Sequence, residues 1–305
     1  MKNKTMIGIV FALAGGLCWG FSGSCGQFLF DVYKLDPIWL CSIRVFCAGL
    51  ILLALSLIKC KKQVFAILKN KKDLLFTFLF GILGLLMSQL CYLTAISYSN
   101  AATATVLQYL GPVMIMVFTC ICKKRAPNLA ELFALILALG GTFLIATHGN
   151  PSELSISPLA LIFGLLAALA LVFYTLLPSG VIAKYGTLPV MGCGMTMGGV
   201  IFLPFAHPWT YGVRLDAAGV AAVAAIIIVG TVMAFSLYLV GVEYAGAVKA
   251  SVVSSIEPVS AAVISALWLG SDFAPLDIVG FICVISAVII LSLFKGRAKQ
   301  TPKEN

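Results

Sequence analysis

The sequence predicts an all-α polytopic membrane protein with ten transmembrane helices, arranged as two inverted five-helix repeats. Three observations predict this fold: an apolar composition, ten apolar segments of membrane-crossing length, and a stretch that occurs twice, 146 positions apart. Hydrophobic residues make up 61% of the 305 positions and charged residues only 10%. Soluble domains of this size do not have that balance, so the composition excludes them.

Ten apolar segments are each roughly 20 residues or longer, which is enough to cross a hydrocarbon core of about 30 Å. The first segment is too long for the core of a signal peptide, so we expect it to stay in the protein as a helix. The segments are called span 1 to span 10 in chain order. They are predicted at residues 6–28, 37–59, 74–97, 101–122, 128–147, 158–178, 187–206, 217–242, 246–269 and 275–294.

The lysines and arginines predict the orientation of these spans. With the N-terminus in the cytoplasm, 16 of the 20 basic residues fall in the termini and in the inner loops. The outer loops hold Lys34 and Arg214, and Arg44 and Lys249 fall within spans. Positive residues are enriched on the cytoplasmic side, so both termini are predicted to be cytoplasmic. The net charge of +9 is therefore an orientation signal, and it does not indicate a nucleic-acid partner.

Part of the first half of the chain recurs in the second half. Residues 238–259 match residues 92–113 at 8 of 22 positions without a gap. A duplicated unit half a chain apart indicates a membrane transporter built from two repeats. Because each repeat contains five predicted spans, an odd number, the two repeats must cross the membrane in opposite directions. Repeat 1 is predicted at residues 8–147 and repeat 2 at residues 158–294.

Each copy of the repeated stretch has a proline in the middle of an apolar span, Pro112 in span 4 and Pro258 in span 9. A proline leaves the carbonyl four residues earlier without its helical partner, here the carbonyls of Gln108 and Ser254. Polar residues precede each proline on the same helix face. They either line a shared polar cavity or bond to neighbouring helices beside a kink. These polar residues are Thr105, Gln108, Tyr109, Ser251, Ser254 and Ser255.

Four ionisable side chains within the predicted spans need an explanation. Glu131 opens span 5 at the inner face, where an acid suits the N-terminus of a helix. Glu257 lies near the centre of span 9, where inserting a charge costs about 2.5–3.5 kcal/mol. It is either a structural carboxyl bonded across helices or a site for a proton or a cation. Lys249 lies within a turn of the inner end of span 9, and we expect it to extend to the interface. Arg44 lies below the outer end of span 2 and is interpreted as a structural guanidinium.

Small residues predict close helix packing in three spans. Gly16 and Gly20 in span 1 form a small-xxx-small pair, which is interpreted as packing within one bundle, so we expect a monomer. Trp19 beside them either fills the core or offers a flat face to a substrate. Further glycines in spans 3 and 7 are interpreted as packing positions. They are Gly81, Gly84, Gly192, Gly194, Gly198 and Gly199.

The sequence lacks the motifs of several enzyme classes. It contains no Walker loop, dinucleotide fingerprint, metal-binding histidine pair or nucleophile elbow. The ten cysteines are scattered, and we expect free thiols without a metal or another cofactor. An intramembrane enzyme would need a catalytic cluster, and no histidine lies in any predicted span. A channel would need a continuous polar lining. Both classes are therefore disfavoured alternatives.

Several short motifs occur in a fixed order along the chain. They are Trp19-Gly20 with Ser22, Arg44, Asn100-Ala101-Ala102 leading to Leu110-Gly111-Pro112-Val113, and Ala247 leading to Ile256-Glu257-Pro258-Val259. In this order and spacing the chain resembles the EamA family of the drug/metabolite transporter superfamily over nearly its whole length. One departure concerns the end of span 9, where many members have an acid directly after Leu-Gly. Here Gly270 is followed by Ser271, and Asp272 comes one residue later.

The resemblance implies a bacterial inner-membrane carrier without an ATP site that exports small metabolites, such as amino acids or toxic organic compounds. It also implies a central cavity to which spans 3, 4, 8 and 9 contribute. We therefore expect a secondary transporter that works by alternating access, with Pro112 and Pro258 allowing their spans to flex. A proton is the candidate coupling ion, and an uptake permease or facilitator of the same fold is the alternative. The predicted substrate-binding residues are Trp19, Tyr92, Gln108, Tyr109, Tyr174, Ser251, Ser254 and Glu257.

Overall fold

The computed structural model describes residues 2–98, 101–153, 157–270 and 274–293, and every regular element within these ranges is helical. In this part of the chain, nine helices are long and apolar enough to cross a membrane, and a shorter apolar helix, Pro275–Leu291, follows at the position of predicted span 10. The all-α membrane class is confirmed, but the count of ten full-length spans is not. The nine helices are Lys4–Tyr33, Pro37–Lys59, Lys71–Ala95, Ala104–Cys122, Leu129–Thr147, Pro158–Tyr185, Thr187–Ala206, Ala217–Ala245 and Ala247–Trp268.

A few sequence predictions fall outside the described residues. They concern Asn100 in the family-like motif, Ser271 and Asp272 after span 9, and residue 294 at the end of repeat 2. The chain between spans 2 and 3, which the sequence analysis left without a helix, forms the helix Lys61–Lys69. Two short 3₁₀ turns, Pro151–Glu153 and Pro208–Thr210, lie in connections at the predicted outer side.

Polar side chains and prolines define where several spans begin. Asp36 precedes Pro37 at the start of span 2, and its carboxylate accepts the backbone N–H of Ile38 at 2.7 Å. Asn128 and Glu131 form a capping box at the start of span 5. These groups satisfy backbone N–H donors that the first helical turn leaves without partners. The apolar runs therefore determine the length of the spans, and the polar residues between them determine the ends.

Two spans contain a π-helical segment at matching places in the two halves. Span 3 contains one at Phe80–Leu86, and span 8 contains one at Ile228–Met233. A shift of 146 positions makes these segments overlap. Within the second, the Thr231 hydroxyl donates to the carbonyl of Ile226, five residues earlier, at 2.9 Å. π-Helical turns inside α-helices are rare and occur often at functional sites.

The two proline-containing spans are also interrupted at matching places. A turn breaks span 4 at residues 109–110 and span 9 at residues 254–255, in each case just before the proline. The carbonyl of Ser254 accepts the backbone N–H of Glu257 at 3.0 Å. The expectation that Pro258 leaves this carbonyl without a partner is therefore wrong, because the tighter turn supplies one. The four helical segments are Ala101–Gln108, Gly111–Cys122, Ala247–Val253 and Ile256–Leu269.

The helices pack mainly across the two halves of the chain. Span 1 packs on spans 8 and 9, and span 6 packs on spans 3 and 4. Spans 2 and 7, spans 4 and 9, and spans 5 and 10 also pack on each other. Exchanging the halves maps this set of contacts onto itself, as a duplicated fold requires. The interior therefore lies between one group formed by spans 1, 8 and 9 and a second group formed by spans 3, 4 and 6.

Glycines allow the closest approaches between helix backbones. A Cβ atom built on Gly81 in span 3 would lie 2.1 Å from the carbonyl oxygen of Gly194 in span 7. One built on Gly199 in span 7 would lie 2.7 Å from the Cα atom of Phe46 in span 2. The glycine clusters that the sequence analysis interpreted as packing positions thus lie where neighbouring spans cross.

Tyrosine–aspartate hydrogen bonds join helix ends at both faces of the bundle. At the predicted outer face, Tyr33 at the end of span 1 donates to Asp216, which precedes span 8. This hydrogen bond is the main cause that holds the pKa of Asp216 below its usual value. At the predicted inner face, Tyr185 at the end of span 6 donates to Asp73 near the start of span 3 at 2.7 Å, and Lys184 pairs with the same carboxylate at 2.5 Å. Spans 1 and 8 correspond to spans 6 and 3 when the two halves are exchanged, so the Tyr33–Asp216 contact corresponds to the Tyr185–Asp73 contact.

Candidate functional site

A cavity of about 570 Å³ lies between the two groups of spans. This volume is within the usual range for sites that hold a small molecule. Its lining follows span 1 from Trp19 to Asp31, about 18 Å along the helix axis, so the cavity runs from the middle of the membrane toward the predicted outer face. Spans 3, 4, 8 and 9 line it, as the resemblance implied, and spans 1, 2 and 6 contribute as well.

All eight predicted substrate-binding residues line this cavity, and so do Arg44 and Pro112. The structure therefore brings together the polar stripes of spans 4 and 9. Pro258 and Lys249 lie outside that lining.

Lys249 lies outside the cavity, beside span 10. Its side chain is half-buried, and the Nζ atom donates to the carbonyl of Leu291 at 3.5 Å. The extension of this lysine to the interface stays a prediction, and the contact with Leu291 lies near the predicted inner end of span 10. Such a contact satisfies part of the hydrogen-bonding capacity of an ammonium group at the edge of the membrane.

Glu257 is held in the cavity wall by a residue from the other half of the chain. The Tyr109 hydroxyl donates to the Oε2 atom of Glu257 at 3.0 Å, and this contact links span 4 to span 9. Nearby, the hydroxyls of Tyr92 and Thr105 are 3.0 Å apart and link span 3 to span 4. The Glu257 side chain is half-buried, so part of it faces the cavity. A carboxylate in this position can accept further hydrogen bonds or hold a proton.

Aromatic rings form the wall near the middle of the membrane. The centroid of the Trp19 ring lies 5.0 Å from that of Phe235, 5.2 Å from that of Tyr238 and 6.4 Å from that of Tyr174. Tyr238 is completely buried, and its hydroxyl lies 2.9 Å from that of Thr175. Trp19, Tyr174 and Phe235 also line the cavity. Trp19 thus packs in the core and also lines the cavity, and its contact with a substrate stays a prediction.

Arg44 reaches the cavity from span 2. Its Nε atom donates to the Thr231 hydroxyl in the π-helical segment of span 8 at 3.3 Å. Within the described part of the chain, the two terminal amino groups of its guanidinium have no hydrogen-bond acceptor. The predicted structural role of Arg44 thus applies to its Nε edge, which Thr231 binds, and leaves the two amino groups unexplained.

Gln89 in span 3 is a cavity residue that the sequence analysis missed. It is 6% exposed, and its Nε2 atom donates to the carbonyl of Leu85 at 3.2 Å. Its Oε1 atom is buried and has no partner among the described residues. The sequence feature that could have identified Gln89 is a lone amide in an apolar span, because polar groups at membrane depth are costly and usually functional.

A polar cluster toward the predicted outer face, which joins span 1 to span 9, was not predicted from the sequence. The hydroxyls of Ser24 and Ser265 are 3.1 Å apart, and Ser265 donates to the Gln27 amide oxygen at 3.2 Å. These three residues line the cavity together with Asp31 at its mouth. The lining as a whole offers charges, hydrogen-bonding groups and aromatic faces, which suit reversible binding of a solute.

Comparison with known proteins adds a family and several relatives. The model of the EamA-like transporter family matches residues 6–147 and again residues 158–293. The chain is 42% identical to the uncharacterized inner membrane transporter YicL of Salmonella typhimurium over 295 residues, 97% of this chain and 98% of that protein. It is 25% identical to the uncharacterized transporter YetK of Bacillus subtilis, over 87% of this chain and 82% of that protein.

A solved crystal structure has the same overall fold. It superposes with a TM-score of 0.75 and covers 94% of this chain and 96% of its own chain, at 17% sequence identity. At this identity the similarity concerns the fold alone.

Proposed function

Because the chain belongs to the EamA-like transporter family, we propose that it is a secondary transporter that exports small metabolites across the bacterial inner membrane by alternating access. It is a multi-pass membrane transporter of the EamA type. The proposal adds the direction, the mechanism and the kind of solute. The observation that carries it is the cavity of about 570 Å³ between the two groups of spans, with charged, amide and aromatic groups at its inner end.

The arrangement of the spans supports alternating access. A solute at the level of Trp19 and Glu257 would lie between the group of spans 1, 8 and 9 and the group of spans 3, 4 and 6. Rocking of one group against the other would close the predicted outer mouth and open the inner end. The helix breaks beside Pro112 and Pro258 are the places where spans 4 and 9 would flex. A proton on Glu257 would couple this motion to the proton gradient, because the charge of the cavity would then differ between the two directions of movement.

An uptake permease or facilitator of the same fold is the second candidate. Both candidates use the same cavity and differ only in which gradient drives the solute. The test begins with a thermal-shift screen of the purified protein against amino acids, polyamines and quaternary amines, since a ligand that binds only the folded state raises its melting temperature. Each ligand found is then loaded into liposomes that contain the protein. We expect efflux that an inward proton gradient accelerates, and a protein that moves no solute under any gradient would contradict the proposal.

We also propose that both termini are cytoplasmic, and a native cysteine can test this orientation. Cys122 is the exposed thiol among the ten cysteines and lies at the predicted inner end of span 4. We expect a membrane-impermeant maleimide to label the protein in inverted membrane vesicles and to leave it unlabelled in intact cells whose outer membrane is permeabilised. The variant Cys122→Ser is the control, because it should lose most of the labelling. Strong labelling of Cys122 in the intact cells would reverse the orientation.

A further inference from the structure

The guanidinium of Arg44 faces the cavity with two amino groups that have no acceptor in the described part of the chain. Its Nε atom is fixed by Thr231, which is itself held by the carbonyl of Ile226. The group is therefore anchored at one edge, and its opposite edge is available. An arginine at membrane depth is costly unless its donors find acceptors. Its planar fork matches a carboxylate, which can accept two parallel hydrogen bonds.

The cavity also contains the opposite charge. Glu257 accepts a hydrogen bond from Tyr109 through Oε2, and its Oε1 atom has no partner in the described residues. Arg44 and Glu257 are near enough for their charges to interact, yet they do not form an ion pair in the described part of the chain. Both residues line the same cavity. A cation alone would satisfy Glu257 and leave Arg44 unpaired, and an anion alone would do the reverse.

A third, neutral group supports the same interpretation. The buried Oε1 atom of Gln89 is an acceptor without a partner in the described residues, in the wall of the same cavity. Leaving this buried acceptor unpaired costs free energy, and an N–H donor of a solute can pair with it once the Gln89 side chain turns toward the cavity. The aromatic wall of Trp19, Tyr174 and Phe235 would contact the apolar part of that solute.

From these contacts we propose that Arg44 is the residue that recognises a carboxylate of the transported solute, and that the solute is dipolar, with its ammonium group directed to Glu257. This inference rests on the proposed transport function and deepens it, because it states which charged group of the solute each of the two residues binds. Arg44 is then a specificity-determining residue. The charges of Arg44 and Glu257 are both compensated when the solute is bound, which lowers the cost of carrying it through the membrane.

The test uses two sets of probes that share a side chain; in each set the amine lacks the carboxylate and the acid lacks the ammonium group. One set is phenylalanine, phenethylamine and 3-phenylpropionate, and the other is leucine, 3-methylbutylamine and 4-methylpentanoate. Binding to the purified full-length protein is measured by isothermal titration calorimetry. We expect the dipolar member of at least one set to bind tighter than its amine and its acid. In Arg44→Gln we expect that affinity to fall about 30-fold or more, and the amine to bind as well as or better than before.

Lys249→Gln is the matched control, because it removes a basic group within a span but outside the cavity. We expect it to keep the wild-type preference among the probes. Arg44→Lys keeps the charge without the planar fork and should lie between wild type and Arg44→Gln, which guards against loss of folding in the latter. Equal weakening of all probes in Arg44→Gln, preference of the wild type for the amine or the acid, or binding of no dipolar probe would each overturn the assignment. Transport of another solute in liposomes would then leave the proposed function standing.

Discussion

Replacing Glu257 with glutamine is expected to lower the transport rate about tenfold or more and to remove its dependence on pH. The glutamine keeps the shape of the side chain and can still accept the Tyr109 hydrogen bond, but it carries no charge and cannot exchange a proton. The bond that is lost is the one between the charged carboxylate and the solute. A hydrogen bond to a charged group contributes about 1.5–3 kcal/mol, so its loss lowers the affinity for the solute about tenfold or more. The measurement is solute flux in liposomes across a series of pH values.

The matched control is Asp31→Asn. Asp31 lines the same cavity, but it is exposed near the predicted outer mouth, so the same chemical change there should leave the pH profile as it is. A Glu257→Gln protein with the rate and pH profile of the wild type would remove Glu257 from the mechanism. If only its melting temperature fell, the carboxyl would have the structural role that the sequence also allowed.

Replacing Gly81 with alanine is expected to destabilise the fold by about 2–3 kcal/mol, near the upper end of the usual range for overpacking. The added methyl group would lie 2.1 Å from the carbonyl oxygen and 2.8 Å from the carbonyl carbon of Gly194. Both are backbone atoms, which cannot rotate away as the end of a side chain can. Spans 3 and 7 would therefore have to separate, and other contacts along them would be lost. The measurement is the thermal unfolding midpoint of the purified protein.

Gly140→Ala is the control for this substitution. Gly140 lies within span 5, and a Cβ atom there would have no neighbour within 4 Å. Alanine favours a helix over glycine by about 1 kcal/mol, so the melting temperature should stay constant or rise. A Gly81→Ala protein that unfolds at the same temperature as Gly140→Ala would show that the two helices can adjust their separation at little cost.

Most of the architecture could be predicted because it follows from apolar length and from internal duplication. The spans lie within a few residues of the predictions, except that span 1 continues to Tyr33 and span 6 to Tyr185. The eight predicted substrate-binding residues share one cavity, since polar groups within apolar spans have few places to be satisfied. Hydropathy alone thus located the membrane segments, and the repeated proline stretch located two walls of the cavity.

The contacts that complete the cavity could not be predicted. Arg44 and Thr231 are far apart in the sequence, and no spacing rule relates them. The π-helical segments at Phe80–Leu86 and Ile228–Met233 leave no clear signal, because their apolar residues also suit an ordinary α-helix. Gln89 follows the first of these segments, so its direction depends on a turn that periodicity does not reveal.

The packing of spans across the two halves has a consequence for biosynthesis. The ribosome completes the first half before any of its main packing partners exists, so neither half is an autonomous folding unit. Arg44 must wait for Thr231, which is synthesised 187 residues later. At about 5–20 residues per second this delay is about 9–37 s. During that time the nascent chain has to hold an arginine in the translocon or the bilayer without its eventual neighbour.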